Sequence, residues 1–203
     1  NNGCPPFLGV TTGKNQLEKD ACTLSIKQLI DTLTKLKDVK KVFIFTRGAF
    51  YNKGTEPVSG DLDLTNKESR FFKGNEDIIP LRDFFEAAQL TVQTLVDNGK
   101  KVFYVTENPE LNFTIESCID RPLKTSVKDC SLDLSSVLIR QGEYLRLFST
   151  LKNVTFINSL PVFCPKNKCV VFDENGALLY RDDDHLSPNG SKFQVENLLI
   201  KYL

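Results

Sequence analysis

The stretch RDDDHLSPNG (181–190) sets the only histidine of the chain, His185, directly behind Asp182, Asp183 and Asp184. An Asp three residues ahead of a His can fold back in a tight turn, so that its carboxylate accepts a hydrogen bond from imidazole Nδ1–H. That arrangement fixes the tautomer, leaves Nε2 free to take a proton and stabilises the imidazolium, which is the base half of a hydrolase triad. Ser187 followed by Pro188 reads as the cap and first residue of a helix, so His185 falls in the turn that feeds it. One ring cannot pair with three carboxylates. Asp183 and Asp184 are therefore expected to face solvent or to cap the helix N-terminus. On spacing alone, a charged helix entry with a surface His stays open as a reading. So does a calcium loop, although three consecutive Asp lack the alternating ligands of an EF-hand.

The elements that must position such a dyad are legible in the hydrophobic pattern. Leu29, Ile30, Leu33 and Leu36 recur at helical spacing within Leu24–Lys37, and Phe84, Phe85, Ala88, Val92, Leu95 and Val96 do so within Leu81–Asn98, stopped by Asn98-Gly99. Leu132–Lys152 and Lys192–Leu203 follow the same rule. Between these four helices stand short apolar runs rich in β-branched and aromatic residues: Val42–Thr46, Val102–Thr106, Val154–Asn158 and Cys169–Asp173. Helices alternating with strands that are apolar on both faces predict a parallel sheet covered by helices, an open three-layer α/β sandwich. Glu174-Asn175-Gly176 followed by ALLY predicts a hairpin after the last strand. The long polar connections 47–80 and 107–130 each follow a strand, where open α/β sheets place their ligand crevices. No linker divides the chain, so 1–203 is expected to form a single domain.

Composition narrows the partners. Lys+Arg and Asp+Glu balance at 26 each over 203 residues, which leaves no basic footprint for nucleic acid and no stripe for an anionic membrane. No apolar run approaches the roughly 20 residues of a membrane helix. The chain holds no Met, so it is expected to be processed or cut from something longer. Six cysteines fall as short-range pairs, Cys4 with Cys22, Cys118 with Cys130 and Cys164 with Cys169. With no CxxC and one His they favour disulfides over a metal, and an oxidising compartment; six buried thiols are the alternative. Neither a metal nor a cofactor is expected. Asn112, Asn153 and Asn189 begin glycosylation triplets that arise readily by chance, and Gly60–Arg70, with Asp61, Asp63 and Glu68, reads as a solvated loop before a sugar groove.

The ending LLYRDDDHLSPNGSKF resembles the last block of the SGNH hydrolase superfamily, in the version appended to bacterial membrane-bound acyltransferase-3 proteins. CPPFLG with Cys22 downstream, TRGAFY, NPELNF followed by Cys118 and Arg121-Pro122, and FCPKNKC agree with it in order. The resemblance implies a periplasmic domain, SGNH/flavodoxin-like, tethered to the membrane through an N-terminal membrane domain. It implies O-acylation of a cell-surface polysaccharide, with the acyltransferase-3 domain as acyl donor. Asp182 and His185 match the triad's Asp and His. The family's nucleophile lies in a Gly-Asp-Ser block that this sequence lacks, and Ser59 in VSGD does not match it. The first strand, first helix and second strand are accordingly expected upstream of Asn1. Arg47, Gly48 and Tyr51 follow the strand where such proteins build an oxyanion hole, with Gly48 where the family more often has Trp. An ion pair is the competing role for Arg47. Besides an O-acetyltransferase, two readings stand: an acetyl esterase using the same dyad, and a non-catalytic glycan- or partner-binding module on a degenerate fold.

Overall fold

The computed structural model describes residues 3–13, 15–53, 79–119 and 130–203. Gly60–Arg70, Ser59 and Arg121-Pro122 lie outside them. The chain gathers into two compact units: one takes the described residues within 1–55, 72–106 and 141–157, the other those within 107–140 and 158–203.

In the first unit, helix α1 (Gln16–Lys35) begins eight residues earlier than the apolar spacing predicts, because Asn15 caps it by accepting a hydrogen bond from the backbone N–H of Glu18 at 3.0 Å. Its buried stripe is Cys22, Ile26 and Ile30, while Leu29 and Leu36, expected inside, are exposed. Cys22 is held to Cys4 by a disulfide. Strand β1 (Lys41–Phe45) and the short helix α2 (Gly48–Lys53) follow. Helix α3 (Leu81–Asp97) buries Phe84, Ala87, Ala88, Thr91, Val92 and Leu95. It stops where Gly99 adopts φ +75°, with Gly99 and Lys100 N–H donating to the carbonyls of Val96 and Leu95.

Strand β2 (Lys101–Val105) pairs in parallel with β1, and β4 (Val154–Ile157) pairs in parallel with β2. The parallel sheet expected from the apolar runs is therefore present, in the order β1-β2-β4. The register aligns Ile44, Tyr104 and Phe156 in one row and Phe43, Phe103 and Thr155 in the next. Alternation along the strands sends these rows to opposite faces. Tyr104 meets Phe7, Phe148 and Phe156 with ring centroids 5.3–6.5 Å from Tyr104 or from one another's rings, and Phe84 closes the cluster against Phe7 and Phe148. Phe103 stacks on Phe43 at 4.5 Å.

In the second unit, β3 (Ser131–Asp133) pairs antiparallel with β5 (Lys168–Val170), Leu132 opposite Cys169. This corrects two expectations. Leu132 and Asp133 belong to a strand, so helix α4 runs Leu134–Phe148, its residues divided between the units after Arg140. Of the run at Cys169–Asp173, Cys169 and Val170 lie in β5, which pairs with β3 rather than with the parallel sheet, and Phe172 makes an isolated bridge. The chain enters β5 from the short helix α5 (Leu160–Phe163) through a turn at Pro165–Asn167, with Lys166 and Asn167 at positive φ and Cys164 bonded to Cys169. That local reversal, invisible to apolar periodicity, sets the strand's direction. The predicted Asn-Gly hairpin forms. Gly176 has φ +78°, Asp173 Oδ1 accepts from the N–H of Asn175 and Ala177, and Phe172 bridges Leu178. Cys118 and Cys130 form the third disulfide. Helix α6 (Pro188–Gln194) starts at the Ser187 cap, as expected, but gives way to a π turn at Val195–Leu199 and a 3-10 turn at Ile200–Tyr202. Leu198 and Leu199 are buried there and Val195 is exposed.

Candidate active site

After the hairpin the chain turns once more. Tyr180 bridges Leu186, the N–H of Arg181 donates to the carbonyl of His185 at 2.8 Å, and the N–H of Ser187 donates to that of Leu179 at 2.9 Å. Residues 181–185 thus close a loop between two paired residues. The Ser187 side chain accepts from the N–H of Gly190 at 3.0 Å and donates to the carbonyl of Leu178 at 2.6 Å, so one side chain caps α6 and ties it to the hairpin. Gly190 is required at that junction, since a Cβ there would lie 1.8 Å from the carbonyl oxygen of Leu179.

Within the loop, Asp182 does what its spacing predicts. Its Oδ1 accepts from the backbone N–H of His185 at 2.6 Å and of Asp184 at 3.2 Å, folding the turn from inside. Both its oxygens lie 3.0–3.1 Å from His185 Nδ1, and Oδ2 also takes the Arg181 guanidinium at 3.1 Å. The His185 side chain is 53% exposed and that of Asp182 37%. With Nδ1 engaged by carboxylate, Nε2 is the nitrogen left for a substrate proton.

Asp184 departs from expectation. It neither faces solvent nor caps α6: its side chain is 5% exposed and its Oδ1 sits 2.8 Å from His185 Nδ1. Two carboxylates therefore crowd one imidazole nitrogen. Partial burial pushes the Asp182 carboxyl up, but a hydrogen bond shared with the Asp184 side chain, those donated by two backbone N–H groups and that of the His185 ring outweigh it and hold Asp182 well below the usual carboxylate range. Asp182, Asp184 and His185 are also the group, among the described residues, whose ligand atoms all lie within 4.8 Å and could converge on a metal ion.

A dyad in a turn ahead of a capped helix is only as informative as the chain around it. The family model described as the SGNH domain fused to AT3 domains matches residues 1–198. The chain belongs to that family. No curated protein and no solved structure matches it. Membership supports acyl-ester chemistry, transfer or hydrolysis, in a domain associated with a membrane acyltransferase. None of the described helices of this SGNH domain is long and apolar enough to cross a membrane.

The remaining candidates of the SGNH domain lie in the first unit. Gly48 opens α2, and a Cβ on it would fall 1.9 Å from the ring of Tyr144. The place of a larger residue is thus taken by Tyr144. Its hydroxyl meets those of Thr46 and Tyr104 in a buried triangle, Thr46 Oγ1 lying 2.5 Å from Tyr104 and 2.9 Å from Tyr144. Arg47 sets its guanidinium over the Phe50 ring at 4.6 Å. The hydroxyl of Tyr51 donates to the carbonyl of Gly3 at 3.1 Å, and the residue is buried. Reading the sequence missed Asp184 and Tyr144. Nothing in the spacing separates Asp184 from its neighbours, and Tyr144, a polar-tipped residue amid an apolar helix period, was the one signal available.

Proposed function

We propose that this SGNH domain is the transferase half of an O-acyltransferase at the extracytoplasmic face of a membrane, passing an acyl group, acetyl by default, to a hydroxyl of a cell-surface polysaccharide. The observation that carries the reading is His185 Nδ1 held 3.0 Å from Asp182 in a closed turn, within a chain that matches the family fused to AT3 domains over residues 1–198. Three closed disulfides support an oxidising compartment.

In this reading the AT3 domain lies on the same polypeptide and supplies the acyl group. A serine outside these 203 residues carries it as an ester. His185 Nε2 takes the proton of the sugar hydroxyl as that oxygen attacks the ester carbonyl, and Asp182 holds the ring and stabilises the imidazolium. Collapse of the tetrahedral intermediate releases the serine oxygen, which receives the proton back, and the acyl group leaves on the sugar. Arg47, Gly48 and Tyr51 are the candidates that the family pattern offers for oxyanion and substrate contacts. The whole chain 1–203 serves as one functional domain. The test is polysaccharide acylation in cells whose full-length protein carries H185A. Loss of the ester with normal protein levels is expected, and undiminished acylation would refute the reading. Acceptor dependence of ester turnover then separates a transferase, which needs the sugar, from an esterase, which does not.

A further inference from the structure

The turn that carries His185 is stitched from inside by Asp182, yet its outer backbone is held by a different segment. Glu107–Leu111, with the sequence ENPEL, follows β2 in the chain. The side-chain amide of Asn108 donates to the carbonyl of Asp184 at 2.9 Å, and the backbone N–H of Leu111 donates to the carbonyl of Asp183 at 2.7 Å. The same segment is pinned by Tyr180, whose hydroxyl donates to the carbonyl of Pro109 at 3.0 Å. It is pinned again where Glu110, 2% exposed, pairs with Arg140. Tyr180 is fully buried; burial pushes its phenol up and the Asn108 side chain draws it partly back. The segment thus meets the base of the turn through Pro109 and its rim through Asn108.

We infer that Asn108 is a positioning residue for His185: by holding the Asp184 carbonyl, the residue immediately before the imidazole, it sets the direction in which the ring leaves the turn and keeps Nδ1 on the carboxylates. The inference rests on the dyad reading proposed above. Asp182 holds the N–H edge of the peptide between Asp184 and His185 and Asn108 holds its carbonyl edge, so loss of the Asn108 bond leaves that rigid plane anchored at one edge and able to tilt about it. Such a tilt swings His185 Nε2 away from the acceptor. Displacement of a reacting group by about 1 Å costs on the order of 100-fold in rate. Pro109, with φ fixed and no N–H, stiffens the segment at the residue after Asn108.

The single histidine makes the test direct. Long-range nitrogen–proton NMR of the imidazole, its ring signals assigned as those absent from H185A, reports which nitrogen carries the proton in the neutral ring. In the unaltered chain the proton is expected on Nδ1. In N108A and in N108D, whose carboxylate keeps the shape but cannot donate, it is expected to spread over both nitrogens. Turnover of the full protein should fall about tenfold to a hundredfold in kcat, with the KM for acceptor within about twofold. V92A, which opens a cavity beneath α3 in the first unit, is the control for general destabilisation. It should lower the unfolding midpoint and leave tautomer and kcat as they were. Unchanged tautomer and kcat in both Asn108 variants overturn the inference, and so does a V92A variant that shifts them equally. If the protein shows no acyl transfer or hydrolysis at all, the proposed function falls, while the tautomer comparison still decides whether Asn108 orients the ring.

Discussion

The hydroxyls of Thr46, Tyr104 and Tyr144 meet inside one unit with every member at 7% exposure or less, whereas His185 and Asp182 meet in the other with more than a third of each side chain open to solvent. Both are networks of short hydrogen bonds among groups distant from an apolar ideal. Each hydroxyl of the triangle meets the other two, and in a low-dielectric interior that makes the cluster costly to break. Buried as it is, it stands out of reach of a substrate in solvent. The dyad is held just as closely on one side of the ring, through Nδ1, and is open on the other. Connection to solvent on one face, with fixation on the opposite face, is what distinguishes a polar cluster that can move a proton from one that only specifies packing.

The comparison can be broken most decisively at His185. H185A should cost between about 100-fold and 10⁴-fold in acyl turnover, the range for a positioned general base, with an unfolding midpoint close to that of the unaltered protein because the ring is half exposed. Loss of stability equal to the loss of activity would erase the distinction. Phe148→Ala, in the aromatic cluster beside the triangle, should cost about 3–5 kcal/mol in denaturant unfolding, the usual range for removing a buried ring. Gly48→Ala should cost roughly 1–3 kcal/mol by forcing Tyr144 aside, measured the same way; a neutral effect would mean that the ring yields easily and that the triangle is not rigid. Tyr104→Phe removes one hydroxyl while keeping the ring, and about 1 kcal/mol is expected, more if the partners are left without a replacement.

The subtlest contrast is in pH. Asp182 has its carboxyl depressed below the ordinary 3.8 in the folded state. Its contribution to stability is complete above that value and is lost as pH falls through the lower folded value. Thermal midpoints of the unaltered protein and D182N should converge as pH drops below about 4 and separate as it rises. Parallel curves across that range would show that the carboxylate does nothing for the fold. The buried triangle has no counterpart: its hydroxyls carry no charge in that range.

Much of the architecture was readable because burial writes itself into spacing. The parallel strands β1, β2 and β4 and helix α3 sit close to their expected places, since each is apolar on the faces it buries. Helix α1 was shifted because its true stripe, Cys22, Ile26 and Ile30, mixes with exposed leucines that mimic a core period. Strand β5 was misassigned because its direction depends on a positive-φ turn and a disulfide rather than on its own side chains. In the site, Asp182, His185 and the Ser187 cap were legible since all three act within six residues.

What the sequence determined alone is therefore local: which residues alternate with the strand or helix period, where a Ser-Pro cap starts a helix, where Asn-Gly turns the chain, and that Asp182 can reach the ring three residues on. What only the tertiary structure decided is which groups from distant stretches arrive at those places. Tyr144, 96 residues beyond Gly48 in the numbering, dictates that position 48 carry no side chain. Asn108, 76 residues before Asp184, takes its carbonyl. Asp184 itself turns inward, though nothing distinguishes it from its two neighbours along the chain. Hydrogen bonds and close contacts act over a few ångströms of space regardless of separation along the backbone, so a linear pattern can name the groups able to make them but not the partners they meet.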